Sequence, residues 1–231
     1  DMLFNEYAGV ALPNANPWGE YWYYRDHNSI STTFYNILND RNDPRIPYLM
    51  WTVGGDYLPA PIGEAEETQG GYSQSRLSTN YNGWAAPTPV ITYHELKFIE
   101  AEAKFRTGDA TWQDALQEAV EESFNYIGTH YYGAPIAGAT DYFNNEVVPR
   151  LTAGNELNEI LTQKYIGLFE AECIETYNDY RRTGIPAMQN PNNTTVGFPH
   201  RFPYALSETQ SNPDNVPDVS IYEDKIWWAA D

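Results

Sequence analysis

Residues 92–108 read TYHELKFIEAEAKFRTG and carry the clearest helix signals in the chain. Thr92 followed three residues later by Glu95 is a capping box, in which the two side chains satisfy backbone amides at a helix start. Gly108 supplies the left-handed residue at which helices commonly end. The apolar positions form two stripes, which are Leu96, Ile99 and Ala103 on one side and Phe98, Ala101 and Phe105 on the other. A helix that is apolar on two sides is expected to lie between two neighbouring elements.

Two further helices are predicted downstream. One begins at Thr111 and keeps a single apolar face as far as Ile127. Because so few residues separate it from the helix before it, the two must lie antiparallel as an αα-hairpin. The other is predicted as one long helix from about Glu156 to Arg182, apolar on two sides. Cys173 falls in one of its apolar stripes and is expected to be a buried, inert thiol.

The chain on either side of these helices is irregular. Residues 1–91 contain eight prolines, which exclude long helices there and predict ordered loops. A short helix near residues 31–38, a small hairpin near 48–58 and a short helix within 140–150 are the regular elements expected in addition. The chain thus divides into a loop-rich aromatic region at 1–91, a helical-hairpin core at 92–186 and an irregular C-terminal packing segment at 187–231.

Composition excludes several classes of protein. The 231 residues include 13 Lys and Arg against 32 Asp and Glu, a net charge of −19 that repels polyphosphate and argues against a nucleic-acid partner. The single cysteine rules out an intrachain disulfide and a cysteine metal cluster. No apolar run approaches the roughly 20 residues of a membrane span. A secretory signal is absent from this chain, and its abrupt start suggests a fragment or a processed product.

No catalytic motif emerges from the sequence. His94-Glu95 begins like a zinc-protease motif, but Phe98 stands where the second histidine is required. Residues 39–43 resemble the start of a calcium loop without its glycine and closing glutamate, which favours a turn. The pairs Glu100/Glu102 and Glu170/Glu172 lie two residues apart, about 200° around a helix, so neither pair faces one site. Two carboxylates distant in sequence could still converge, which keeps a glycoside hydrolase open as an alternative.

Tyrosine and tryptophan are abundant in the loops before the first long helix. Their flat faces stack on the apolar faces of sugar rings, while neighbouring asparagines bond hydroxyl groups. The loop between Tyr57 and Trp84 combines loop character, polarity and aromatic rings. The predicted ligand-binding residues are Trp51, Tyr57, Tyr72, Asn80, Tyr81, Asn82, Trp84, Trp18 and Trp22.

Several segments, taken in their order and spacing, resemble the SusD/RagB family, especially its SusD-like lipoprotein branch. They are Asp43–Pro47, Thr92–Ala103, Ile160–Phe169, Tyr180–Pro186, Arg201–Tyr204, Glu208, Asn212 and Lys225–Trp228, so that the resemblance covers about residues 40–231. The most specific parts are the helix pair that ends in Arg-Arg-Thr-Gly and the Arg-x-Pro-Tyr segment. The Ala/Glu-rich helix alone would be weak support.

The resemblance implies a surface-exposed outer-membrane lipoprotein of a Bacteroidetes-type bacterium, with tetratricopeptide-like helical hairpins and a loop-rich ligand face. Such proteins lie as a lid on a SusC-like TonB-dependent transporter and capture glycans, or sometimes peptides, for import. They are not enzymes. Members are about twice as long and carry an N-terminal lipid-anchored cysteine and earlier helical repeats. The chain is therefore expected to be the C-terminal portion of one SusD-like domain. Ligand contacts vary between members, so the shared motifs are expected to be scaffold.

Together these observations predict a mainly α fold of stacked, tetratricopeptide-like helical hairpins with long ordered loops and minor β structure. The predicted function is non-catalytic capture of an oligosaccharide at the extracellular face of the outer membrane, for polysaccharide utilisation through a TonB-dependent transporter. No metal or cofactor is predicted, and contact with the membrane is expected only through a lipid anchor missing from this chain. The alternatives are a peptide-binding lid of the same transporter class, a glycoside hydrolase, and a helical-repeat adaptor that binds only protein.

Overall fold

The structure is a computed structural model that describes residues 1–4, 7, 14–19, 21, 29–62, 83–169, 172–188 and 197–229. Helices predominate in these parts of the chain, and a two-stranded antiparallel sheet is the minor β component, which confirms the predicted fold class. The elements are β1 (Met2–Phe4), α1 (Thr32–Asn39), α2 (Ile46–Leu49), β2 (Thr88–Ile91), α3 (Tyr93–Thr107), α4 (Trp112–Ile127), α5 (Ala139–Tyr142), α6 (Glu156–Gly167), α7 (Cys173–Thr183) and α8 (Leu206–Ser211). None of the helices described has both the length and the apolar character needed to cross a membrane.

Helices α3 and α4 form the predicted hairpin. Thr92 Oγ1 accepts a hydrogen bond from the backbone N of Glu95 at 3.2 Å, and Gly108 ends α3 with φ of 75°. Lys97 near the start of α3 lies 2.8 Å from Glu118 in α4, whereas the ring of Phe105 near the end of α3 packs on Trp112 at 5.3 Å. The end of α3 therefore contacts the start of α4, while the start of α3 contacts a later part of α4, so the two helices are antiparallel.

The second apolar stripe of α3 is not covered. Phe98 and Ala101 are fully buried against α4 and α6, as expected for one face. On the other stripe, Leu96 is 50% exposed and Ile99 is 44% exposed. The prediction that α3 lies between neighbours on both stripes is therefore wrong for the part of the chain described, because its partners pack on one side only.

The hydrophobic core lies where α4 meets α1, α6 and the short helices after it. Buried side chains from α4 include Leu116, Val120, Phe124 and Ile127. Phe34 of α1 stacks on Phe169 at 3.7 Å between ring centroids and meets Tyr165 of α6 edge to face. The core thus ties the loop-rich first third of the chain to the helical hairpin.

The predicted third helix is two helices. Helix α6 ends at Gly167, and α7 begins at Cys173 after Glu172, whose φ and ψ of −132° and 45° are not helical. At Gly167 an added Cβ would lie 2.9 Å from Cε2 of the buried Phe98, so only glycine allows α6 to end this close to α3. The break also corrects the expectation for Cys173, which lies in the first turn of α7 and is exposed.

The short elements expected outside the three long helices are present in part. The helix predicted near residues 31–38 is α1, capped by Ser31 Oγ accepting from Phe34 N at 3.1 Å. The helix expected within 140–150 consists of α5 followed by a π turn at Phe143–Val147 and a 3-10 turn at Val148–Arg150. The hairpin expected near 48–58 is reduced to one bridge between Val53 and Asp56, and its first two residues belong to α2.

A buried ion-pair network fixes the loop between α1 and α2. The fully buried Arg45 donates to both carboxylate oxygens of Asp43, at 2.9 and 2.6 Å, and to Ser123 Oγ at 2.7 Å. Arg41 holds the buried Glu159 through two further hydrogen bonds of 3.0 and 2.6 Å. Residues 39–43, which resemble the start of a calcium loop, therefore form a turn, and the carboxylate of Asp43 is hydrogen-bonded to Arg45.

Candidate ligand-binding surfaces

Asn16 connects two loops that carry predicted ligand-binding residues through hydrogen bonds. Its backbone N donates to the carbonyl of Trp84 at 2.7 Å, and its side-chain Nδ2 donates to the carbonyl of Ala86 at 2.7 Å. Its Oδ1 accepts from the backbone N of Trp18 at 2.8 Å. Because Asn16 is buried and uses both ends of its amide, the segment that carries Trp18 is held beside the segment that carries Trp84.

Trp18 presents its ring to solvent at this junction. The side chain is 45% exposed and meets the ring of Tyr21 edge to face, with centroids 6.1 Å apart. Trp84 is half-buried. An exposed indole supported by a second ring is a surface on which a flat apolar face, such as that of a pyranose, can stack.

Trp51 and Tyr57 lie on the loop that follows α2. Trp51 is 47% exposed, and Tyr57 packs against Tyr35 of α1 with ring centroids 6.0 Å apart. Burial raises the pKa of the Tyr57 hydroxyl, which keeps it protonated and able to donate. Backbone hydrogen bonds from Thr32 N to Ala60 O and from Ala60 N to Ile30 O hold this loop against the start of α1. Both ends of the loop are therefore anchored on the core.

The predicted site residues thus separate into two described groups. Trp18 and Trp84 share the junction at Asn16, while Trp51 and Tyr57 share the loop after α2. The remaining predicted residues lie outside the described residues, namely Tyr72, Asn80, Tyr81, Asn82 and Trp22.

A cavity between α6, α7 and the C-terminal segment was not predicted from the sequence. It has a volume of about 290 Å³ and is lined by Tyr165, Thr176, Tyr177, Tyr180, Met188, Phe198 and Pro199. The hydroxyl of Tyr177 donates to the carbonyl of Pro199 at 2.8 Å, and Tyr180 meets Phe198 edge to face. Burial raises the pKa of Tyr165 to about 12. Tyr165 belongs to α6, whereas Tyr177 and Tyr180 belong to α7, so the cavity lies between these two helices.

Two carboxylates distant in sequence do converge. Glu95 in the first turn of α3 and Glu172 before α7 are both buried, and Thr92 Oγ1 donates to Glu172 Oε2 at 2.9 Å. Burial and the neighbouring charge of Glu95 raise the pKa of Glu172 to about 8. Glu95 therefore does not complete the predicted capping box, because its carboxylate lies beside Glu172. Both groups are buried where two helices begin, and neither is exposed to solvent as a residue of an open cleft would be.

The other titratable groups near this pair are also enclosed. His94 Nε2 lies 3.1 Å from the carbonyl of Gly167, which makes it the protonated nitrogen of a neutral ring. Burial lowers the pKa of His94 to about 3. Among the residues that the structure describes, no group of three or more His, Cys, Asp or Glu side chains is arranged to hold a metal ion.

A family model described as SusD-like, starch-binding and associating with the outer membrane, matches residues 3–205. A SusD/RagB family protein from Bacteroides thetaiotaomicron is 29% identical, with a TM-score of 0.78 over 98% of this chain and 54% of its own. A SusD homolog from Bacteroides fragilis is 20% identical, with a TM-score of 0.79 over 97% of this chain and 56% of its own.

A chitin-binding protein shares the fold as well, with 24% identity and a TM-score of 0.77 over 94% of this chain and 53% of its own. The chain therefore spans about half the length of these solved structures. No curated protein matches the chain.

Proposed function

The chain belongs to the SusD-like family of starch-binding proteins that associate with the outer membrane, and we propose that it contributes to binding a glycan nutrient at the cell surface without altering it chemically. The observation that carries this proposal is the match of the family model to residues 3–205. The chitin-binding protein with the same fold adds support for a polysaccharide ligand.

The exposed aromatic side chains supply a physical means of binding. Trp18 and Trp51 offer large flat faces on loops that are anchored to the core, so little side-chain or loop entropy would be lost when a sugar stacks on them. Tyr57, Tyr72, Tyr81, Trp84 and Trp22 would extend this surface, and Asn80 and Asn82 would bond sugar hydroxyls.

Delivery to a SusC-like TonB-dependent transporter is part of the same proposal. The protein would lie at the extracellular face of the outer membrane, held by a lipid anchor outside this chain, and would pass the bound oligosaccharide to the transporter. The family's association with the outer membrane supports this location. Co-purification of such a transporter with the full-length protein from its native membrane would support the partnership.

Isothermal titration of the chain against a panel of oligosaccharides and peptides is the direct test. Binding of at least one glycan, with no release of reducing sugar during prolonged incubation, is the expected result. Reducing-sugar release would indicate a glycoside hydrolase, and binding of peptides alone would indicate a peptide-binding lid. Absence of any binding, together with absence of a co-purifying transporter, would overturn the proposal.

Trp51→Ala and Trp84→Ala are expected to weaken binding of such a glycan by about 1–3 kcal/mol each, because each removes a large aromatic contact. Leu58→Ala, an exposed apolar side chain on the same loop as Trp51, serves as the matched control and should change affinity little. Changes within about 0.5 kcal/mol at both tryptophans would direct the search to Trp18 and Trp22.

A further inference from the structure

The last turns of α7 and the C-terminal segment form a surface built from arginine and aromatic rings. We define it as the arginine–aromatic surface, made of Tyr177, Arg181, Arg201, Phe202, Tyr204 and Trp228. The guanidinium carbon of Arg181 lies 4.3 Å from the ring centroid of Tyr177 and 4.8 Å from that of Trp228. Tyr177 and Phe202 meet edge to face at 5.5 Å, and Arg201 lies over the ring of Tyr204 at 5.4 Å.

The two arginines of this surface have no acidic partner among the described residues. Most described lysine and arginine side chains are held by a carboxylate, as Arg41, Arg45 and Arg182 are. Arg181 instead donates to the amide oxygen of Asn178 at 2.5 Å, and Arg201 to the hydroxyl of Tyr204 at 3.4 Å. In a chain with 32 acidic and 13 basic residues, two cations without an acidic partner stand out, because carboxylates are in large excess.

Both arginines also keep a buried donor without an acceptor. The Nε atoms of Arg181 and Arg201 are buried and donate to no acceptor in the described part of the chain. A buried donor left unpaired is costly. Both arginines are partly exposed, and an arginine stacked on a ring still presents the edge of its planar fork that carries the two terminal Nη atoms. That edge matches the two oxygens of a carboxylate, which it can bind through two parallel hydrogen bonds.

Exposed rings next to the arginines complete the chemistry. Phe202 is 59% exposed, and Trp227, beside Trp228 in sequence, is 94% exposed. Flat rings next to a carboxylate-binding fork suit a sugar that carries a carboxylate, since the ring face stacks while the acid group pairs with arginine. We infer that the arginine–aromatic surface binds uronic acid residues, so that the glycan taken up is an acidic polysaccharide.

The net charge of the chain does not oppose this contact at physiological salt. The Debye length is about 8 Å at 0.15 M ionic strength, so most of the 32 carboxylates act on a bound uronate only weakly compared with an arginine in contact. The inference rests on the proposed glycan binding, which is why a sugar carboxylate is favoured over the carboxylate of an acidic peptide.

Titration calorimetry with three tetrasaccharides tests this assignment. The ligands are tetragalacturonic acid, its fully methyl-esterified form and neutral maltotetraose, each measured in low and high NaCl. The free acid is expected to bind at least about tenfold more tightly than its ester, because esterification removes the charge-assisted hydrogen bonds. At low salt the long-range repulsion between the negative chain and the polyanion weakens binding of the free acid, so the acid is compared with its ester at the higher salt concentration.

Substitution of the arginines provides the second arm. Arg181→Gln and Arg201→Gln should each weaken binding of the free acid by about tenfold, and Arg181→Lys should weaken it less, since the charge remains while the fork is lost. Arg106→Gln makes the same change of charge at an exposed arginine of α3 and should leave the affinity within about twofold of wild type. Circular dichroism melting of each variant shows whether the fold is intact, and Arg181→Lys keeps the test valid if Arg181→Gln unfolds.

The outcomes separate this inference from the function on which it rests. Equal binding of the free acid and its ester, or unchanged affinity in both glutamine variants, would overturn it, as would equally tight binding of tetraglutamate. If maltotetraose binds and the uronate does not, the inference fails while glycan binding stands. If no glycan binds in any arm of the panel, both fail.

Discussion

Arg45 is a residue whose role depends entirely on its partners. It is fully buried, both oxygens of Asp43 accept its hydrogen bonds, and its guanidinium lies 4.6 Å from the ring centroid of Phe124. Burial alone would lower the pKa of Arg45, but the charge of Asp43 and its hydrogen bonds raise it, so the guanidinium stays charged. The energetic consequence of removing one member is therefore larger than the pair's net contribution to stability.

Arg45→Met is expected to lower the free energy of unfolding by about 3–5 kcal/mol, because it leaves the carboxylate of Asp43 buried without a counterion. Urea denaturation followed by circular dichroism measures the loss. Arg106→Met breaks an exposed ion pair with Glu102 and should cost less than about 1 kcal/mol. Similar losses in the two variants would mean that the Asp43 carboxylate finds water or another partner once Arg45 is removed.

The pH dependence of stability follows from Glu172. Its pKa is about 8 in the folded chain and 4.5 ordinarily, so the folded state binds more protons between these values. Stability from this group is present at low pH and is lost as pH rises towards about 8. His94 acts in the opposite sense, since its lowered pKa removes stability as pH falls below 6.5. Above that value the contribution of Glu172 is the steepest among the described groups whose pKa is shifted.

Between about pH 6.5 and pH 8 the free energy of unfolding is expected to fall by up to about 1.4 kcal/mol per pH unit because of Glu172. Glu172→Gln should flatten this decline and raise the melting temperature at pH 8. Glu175→Gln, an exposed glutamate in the same helix turn, should leave the slope as in wild type. Parallel pH curves for wild type and Glu172→Gln would show that the proton on Glu172 is not coupled to folding.

Residue roles that are set by near neighbours in the chain can be predicted from the sequence, and roles that are set by distant neighbours cannot. The Thr92 cap and the terminating Gly108 are set by neighbours three or four residues away, and both are confirmed. Arg45 instead depends on Ser123 and Gln163, which lie 78 and 118 residues further along the chain. That Arg181 and Arg201 lack an acidic partner among the described residues could likewise not be predicted, because an excess of acidic residues in a sequence does not indicate which cation each acid contacts.

At the scale of elements, close packing at two glycines decides how helices end. Gly128 is the first residue of a second π turn, Gly128–Tyr132, which follows α4 directly, and the backbone of residues 134–136 crosses directly over Gly128. At Gly167 the crossing group is the side chain of Phe98. A hydrogen-bonded backbone segment can shift less than the edge of an aromatic ring. Gly128 is therefore expected to tolerate a larger side chain less well than Gly167.

Gly128→Ala is expected to destabilise the protein more than Gly167→Ala does. At Gly128 the new Cβ would overlap the carbonyl of Ala134 and the amide of Ile136, whereas at Gly167 it meets Phe98 Cε2 at 2.9 Å. Overpacking against a side chain, as at Gly167, typically lowers the free energy of unfolding by about 1–3 kcal/mol. Chemical denaturation gives both values, and Phe98→Leu combined with Gly167→Ala should lose less than the sum of the single variants. Strict additivity would contradict a direct clash between these two side chains.

The same packing explains which elements the sequence predicts correctly. Helices α3 and α4 have caps and periodicity of their own, so their bounds follow from the sequence almost to the residue. Apolar periodicity continues beyond Gly167, yet α6 ends at that residue, since the end of α6 is held against Phe98 by a contact between residues distant in sequence. Leu96 and Ile99 form an apolar stripe that the periodicity predicts correctly, yet they are exposed. Periodicity identifies an apolar face of a helix but not the element that packs against it.

At the scale of the whole molecule, the net charge of −19 sets the response to salt. Like charges spread over a compact body repel one another and oppose folding, and added salt screens them. The exposed ion pairs of α3, such as Lys104 with Glu100, act in the opposite direction because salt weakens attraction as well. Exposed pairs contribute at most about 1 kcal/mol each and several share partners, so repulsion among the excess carboxylates outweighs them.

The melting temperature is therefore expected to rise as NaCl increases from about 0.01 M to 0.3 M, over which the Debye length shrinks from about 30 Å to well under 10 Å. For a domain of this size each kcal/mol gained corresponds to about 2–4 °C. A variant with Asp214→Asn, Asp218→Asn and Glu223→Gln removes three exposed negative charges that make no ion pair among the described residues, and its melting temperature should respond less to salt.

The buried pair of Arg45 and Asp43 is shielded from ions and serves as the internal reference, since Arg45→Met should lower the free energy of unfolding by the same amount at both salt concentrations. A melting temperature that falls with salt would mean that attraction between neighbouring charges, rather than the overall excess of carboxylates, governs the stability of this fold.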